Sequence, residues 1–96
     1  MKTGIELITE ERRRQVTEEN WTAEHDSQHT KGELARAAAC YALIGPFRHR
    51  NVPELWPWDI KWWKPSNRIR ELVKAGALIA AEIDRIQGEL TKPKKK

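Results

Sequence analysis

Three groups of residues carry side chains able to do chemistry. The first is Trp21-Thr22-Ala23-Glu24-His25-Asp26-Ser27-Gln28-His29, which holds two histidines, two carboxylates and an indole within nine residues. His25 and His29 are four apart, so on a helix they share a face, and Glu33, four further on, would complete a trio of metal donors. The plainer reading is a polar loop whose His and Asp side chains satisfy helix ends and touch the tryptophans. The second group is Trp56-Pro57-Trp58-Asp59-Ile60-Lys61-Trp62-Trp63-Lys64-Pro65, which contains four of the five tryptophans with Asp59, Lys61 and Lys64 between them. That is more indole than a small helical core requires. The third group is Arg68, Arg70 and Lys74, at the start of the last helical stretch. Cations there oppose the helix dipole, so they are either ligands for an anion or partners of Glu71 and the acids at 24–26.

Together these types suit a nucleotide-like ligand. Aromatic faces stack on a base, each worth about 1–3 kcal/mol in nucleic-acid systems. Arginine and lysine neutralise phosphates, and Glu24 or Asp26 accepts hydrogen bonds from ribose hydroxyls or base amines. The candidate ligand-binding set is therefore Trp21, Glu24, His25, Asp26, His29, Trp58, Trp62, Lys64, Arg68, Arg70 and Lys74. No catalytic residue, metal ligand or cofactor is assigned. Two alternatives stay open. One is a metal-dependent nucleotide hydrolase using Glu24, Asp26, Glu33 and a divalent ion, with Glu82 as a further carboxylate. The other is a stoichiometric protein inhibitor with the tryptophan stretch as its hot spot, since Trp and Arg dominate such surfaces.

The elements that must position these groups read as helices. At 96 residues the expectation is a single helical domain over 1–96, with a lead-in at 1–8 and a flexible basic tail at 91–96. Thr9 reads as the N-cap of a charged helix over about 10–19, with Arg12, Arg13 and Arg14 on a solvated face. Thr30 and Glu33 read as a capping box opening a second helix that runs through Ile44 to Gly45-Pro46. Past Arg36 that helix is apolar nearly all round and alanine-rich, so it should be central, with the Tyr41 hydroxyl on a partner. Residues 45–66 hold four of the five prolines and read as a long irregular connector, anchored by Phe47, Val52, Leu55 and Ile60. Within it, Pro57 to Trp63 suits one short helix, with Trp58 and Trp62 facing the same way.

Ser66 or Asn67 should cap the last helix, over about 67–90. Ile69, Leu72, Val73, Gly76, Ile79, Ala80, Ile83, Ile86 and Leu90 form its apolar stripe, expected to be buried. Gly76, among Ala75, Ala77 and Ala80, should let the alanine-rich helix approach closely. The predicted class is all-α: a small bundle built on an antiparallel helix pair, with a Trp/Pro-rich connector laid across it.

Charge and composition narrow the partners. The net charge is +4, but Lys92, Lys94, Lys95 and Lys96 supply it, leaving 14 basic against 14 acidic residues in the body. That does not favour a nucleic-acid partner, which needs clustered basic charge on the fold. Cys40 is the one cysteine, which rules out an internal disulfide and suits a reducing compartment. Lys2 is followed by no hydrophobic stretch, and no apolar run reaches membrane-spanning length, so neither a signal peptide nor a membrane partner is expected. A chain this small buries a modest core, so a homo-oligomer is expected.

The pattern W-T-x-E-H-D-x-x-H-x-x-G-E-L-A over 21–35 resembles a family of small, mostly uncharacterised proteins of bacteriophages and prophages. So do Trp56-Pro57-Trp58, Trp62-Trp63-Lys64-Pro65, and R-x-L-V-K-A-G-A-L-I-x-A-E-I over 70–83. The resemblance covers roughly residues 20–86; residues 1–19 and the lysine tail lie outside it. It implies a phage origin, a fixed set of polar residues and a place in the host cytoplasm. Small phage proteins of this kind commonly counter host defence. Some are sponges for nucleotide immune signals such as cyclic ADP-ribose derivatives or cyclic dinucleotides. By that analogy of size, origin and residue types, the expected function is sequestration of a nucleotide-derived ligand.

Overall fold

In the computed structural model, which describes residues 1–91, the chain is a small all-α bundle with no strand among the described residues. Helix α1 spans Gly4–Glu18, α2 Ala23–Asp26, α3 Glu33–Ala42, α4 Gly45–Leu55 and α5 Arg68–Thr91, with a 3₁₀ turn at Ile60–Trp62. The lysine tail at 92–96 lies outside the described residues; Thr91, expected to begin it, is the last residue of α5.

Helix α1 starts earlier than its sequence suggested. Thr3, not Thr9, is the N-cap: its Oγ1 accepts from the Glu6 amide and the Glu6 carboxylate accepts from the Thr3 amide. That reciprocal box satisfies two of the orphan donors at the helix start. Thr9 instead donates its hydroxyl to the Ile5 carbonyl inside the helix. So residues 4–8, expected as lead-in, are helical. Asn20, at φ 58°, turns the chain out of α1, and Thr22 caps the single turn of α2 by accepting from the His25 amide.

The start of α3 also differs. Gly32 occupies the N-cap position at φ +77°, with no side-chain cap, a left-handed backbone that glycine adopts without Cβ cost. Glu33 does reach back, but to the Lys31 amide rather than to Thr30. The helix ends at Ala42, and the connector read as irregular is largely α4. Pro46 lies in the first turn of α4 and Pro53 inside it. A first-turn proline loses no intrahelical bond, and Pro53 deletes one donor in the last turn. Of its expected anchors, Val52 is buried and Leu55 partly so, whereas Phe47 and Ile60 are exposed.

Helix α3 runs antiparallel to α5: Arg68, at the first turn of α5, donates to the carbonyls of Tyr41, Ala42 and Leu43 at the end of α3. The seam is made of small residues. Ala37, Ala38 and Cys40 of α3 pack with Ala75, Leu78 and Ala81 of α5, all buried. Leu34, Tyr41, Val52 and Trp56 complete the core. The Asn67 Oδ1 accepts from the Arg70 amide and caps α5 as expected.

Most of the stripe expected to be buried is not, although Val73 is. Ile69, Leu72, Ile79, Ile83, Ile86 and Leu90 are 42–80% exposed. Helix α5 buries its alanine face instead, since small side chains admit a neighbouring backbone closely. Gly76 meets α1 rather than α3: a Cβ built there would lie 2.5 Å from Ile8 Cδ1 and 2.8 Å from Cγ1. Gly76→Ala should therefore destabilise by about 1–2 kcal/mol through overpacking. In an Ile8→Ala background the sign should reverse, to a gain of about 1 kcal/mol from helix propensity. Urea unfolding of the four proteins checks it; an unchanged sign would mean Ile8 is not the obstacle.

Candidate functional site

Two ionic knots fix the helices that carry the site. The Arg48 guanidinium of α4 grips both oxygens of the Glu71 carboxylate at 2.9 Å and also donates to the Tyr41 carbonyl. The Ser66 amide donates to Glu71 as well. These hydrogen bonds, Arg48 foremost, hold the buried Glu71 carboxyl below the usual carboxylate range. The second knot joins α1 to α5. Burial pushes the Glu11 carboxyl up, but hydrogen bonds and charge from Arg14 and Arg70 outweigh it and leave the group below its usual range.

Between the knots the aromatic residues form a continuous chain. Trp21 stacks on His25 at 6.2 Å between centroids, and His25 meets His29 edge-on at 5.0 Å. His29 packs against Trp58 at 5.4 Å, Trp58 against Trp56 at 5.4 Å, and Trp56 against Trp63 at 5.1 Å. Tyr41 closes the run on Trp63 at 4.7 Å. The Trp56 Nε1 donates to the Asp59 carbonyl, and the Asp59 carboxylate accepts from the Lys61 amide, which sets the 3₁₀ turn. Trp62, on that turn, is 58% exposed, with the ammonium groups of Lys61 and Lys64 at 5.5 and 5.9 Å from its ring.

A cleft of about 720 Å³ opens where α1, the aromatic chain and α5 meet. Of the candidate ligand residues, the structure brings Trp21, His25, His29, Trp58, Trp62, Lys64 and Lys74 to its wall. It does not bring Glu24, Asp26, Arg68 or Arg70. Arg68 caps α3, as described, and Arg70 pairs with Glu11. Asp26 is buried against Arg12 at 2.9 Å, and with Glu24 it lines a smaller hollow of about 320 Å³ beside the end of α5. Asp26, Arg68 and Arg70 are held by partners within the fold, among them Glu71, which lies 3.9 Å from Arg68.

The cleft also contains residues outside the candidate ligand set: Trp56 and Asp59 of the tryptophan stretch, and Glu11, Arg14, Gln15, Glu19, Tyr41 and Leu78. Gln15 is 2% exposed. Its Nε2 donates to Glu11 at 3.3 Å, while its Oε1 accepts no hydrogen bond among the described residues. The reverse amide orientation would set that oxygen against the carboxylate, so the assignment stands on its partner. A buried acceptor left unpaired costs about 1–3 kcal/mol. Nothing in the sequence marked Gln15, which sits on a helix read as surface.

Lys74 and Lys64 supply the cleft's positive charge. Lys74 donates to the Lys64 carbonyl at 3.1 Å and lies 5.4 Å from the Tyr41 ring centre. Burial, reinforced by the charge of Arg70, pushes its ammonium pKa down. Among the described residues neither lysine has a carboxylate within ion-pair distance. Arg14, by contrast, is held by Glu11 and Glu19. The Tyr41 hydroxyl accepts from the Lys64 amide at 3.4 Å.

No family model, curated protein or solved structure matches the chain. What the site can do is therefore argued from its chemistry. Among the described residues no three His, Cys, Asp or Glu side chains converge as metal donors: His25 faces Asp26 at 3.2 Å, and His29 stands 3.7 Å from Glu33. Glu82, the further carboxylate considered for hydrolysis, pairs with Arg85. No described helix is long and apolar enough to cross a membrane.

Proposed function

We propose that the cleft binds and sequesters a small nucleotide-derived ligand. The observation that carries this reading is the meeting of Trp21, Tyr41, Trp56, Trp58 and Trp62 with Lys64 and Lys74 around one open volume. Aromatic walls with a few placed polar groups are what a ligand of this size needs. A base stacks on the indoles and a phosphate meets the lysines. The acids on the wall, Glu11, Glu19 and Asp59, restrict where phosphate can sit to the Lys64–Lys74 side. The resemblance to small phage proteins extends the proposal: the ligand is an immune-signalling nucleotide, and holding it counters host defence in the host cytoplasm.

The test is a thermal-shift screen against nucleotides, cyclic dinucleotides and ADP-ribose derivatives, with and without magnesium, with each ligand checked for turnover. A ligand at about 100 times its Kd should add about 2.7 kcal/mol of apparent stability. Lys74→Met should cut the affinity about tenfold or more by removing a phosphate contact. Magnesium-dependent turnover would replace sequestration by hydrolysis, and no shift with any ligand would sink the nucleotide reading. One feature favours a second reading, a protein inhibitor: Trp62 and Ile60 are exposed on the same 3₁₀ turn. Co-purification of a host protein that Trp62→Ala releases would support it.

A further inference from the structure

We infer that the outer face of α5 is a seam that pairs with a second copy of this chain. Ile69, Leu72, Gly76, Ile79, Ile83, Ile86 and Leu90 recur at alternating steps of three and four. That is the a/d repeat of a coiled coil, carried over three heptads. The bundle's own core uses the opposite face of α5, through Ala77, Leu78 and Ala81. The repeat is therefore in excess of what the monomer needs.

Gly76 is the one position without a side chain, and Ile8 of α1 fills it, its Cδ1 standing where a Cβ would be. The aliphatic strip is thus continuous. It ends in exposed Ile5, one turn before Ile8 on α1. The strip presents on the order of 600 Å² of aliphatic surface, at the upper limit of what a monomer leaves bare. Two copies face to face would remove on the order of 1,200 Å², the lower bound for a specific interface.

The flanks leave room for one partner helix. Beside the strip, Val73 and Ala75 are buried within the bundle, and Ala80, Glu82, Gln87 and Glu89 are small or polar, so the exposed apolar face is only two positions wide in seven.

The test uses the full chain. Sedimentation equilibrium in the micromolar range should give twice the chain mass. Ile83→Asp should raise the dimer Kd by about 100-fold or more, since each partner would then bury a charge. Because Ile83 is half exposed in the single chain, the variant should keep the wild-type helical circular dichroism. A monomeric wild type, or an Ile83→Asp protein that still dimerises, would overturn the seam.

Discussion

Replacing Glu71 by alanine will lower the unfolding free energy by about 3 kcal/mol, the scale for removing one partner of a buried ion pair. The carboxylate is 3% exposed and receives two bonds from Arg48 and one from the Ser66 amide. Without it Arg48 keeps only the Tyr41 carbonyl, and the junction of α3, α4 and α5 loses its common acceptor. For a domain of this size about 3 kcal/mol shifts Tm by roughly 10–20 °C. It is a large share of a typical total of about 5–15 kcal/mol. The effect depends on pH in a defined direction. Glu71 has a folded pKa below its unfolded value of about 4.3, so its contribution is complete above that value and lost as pH falls through the folded pKa. The gap between wild type and Glu71→Ala, measured by urea unfolding, should be widest at neutral pH and close in acid. A gap that persists with Glu71 protonated would mean packing, not charge, holds the junction. Glu11 follows the same sign, so wild type itself should weaken in acid.

The knots were the part of the fold that the sequence hid. Arg68 and Arg70 stand out because cations at a helix start oppose its dipole, which leaves an anionic ligand and pairing with Glu71 or the acids at 24–26 both open; Arg68 does lie 3.9 Å from Glu71. Their acceptors are the carbonyls of residues 41–43 and the Glu11 carboxylate, supplied by segments that only tertiary structure brings near. The helix caps show a similar limit. Thr3 with Glu6 and Thr9 with its following acids both look like starts, and the decision lies in which amides are free. Helix class, the antiparallel pair and the Asn67 cap were legible because they depend on local periodicity and capping chemistry. The apolar stripe of α5 was legible as a stripe, but periodicity says that a face is apolar and not what covers it. Two such faces exist on α5, and the alanine face won the intramolecular contact because helices packed through alanine approach closely. The cleft divides in the same way. Its indoles and histidines announced themselves by type, whereas Gln15 and Tyr41 enter it only through packing.

Trp62→Ala should separate binding from folding more sharply than any other change at the site. The indole is 58% exposed and sits outside the aromatic chain that joins Trp21 to Tyr41. Removing it takes away two cation–π contacts, each about 0.5–1 kcal/mol at an exposed position, and leaves the core as it was. Stability should therefore fall by about 1 kcal/mol or less. Binding should suffer more. A stacked base is worth about 1–3 kcal/mol, so affinity for the ligand that stabilises wild type should drop by roughly 5- to 150-fold. Trp58→Ala gives the contrast. Trp58 packs on Trp21, His29 and Trp56, so its loss should cost stability and binding together, through a cavity in the aromatic chain. Calorimetric titration with urea unfolding of both variants reads the two effects apart. If Trp62→Ala binds like wild type while Trp58→Ala does not, the base lies deep against the aromatic chain and Trp62 faces solvent or another protein. If both bind like wild type, the ligand is held by something other than the aromatic cleft.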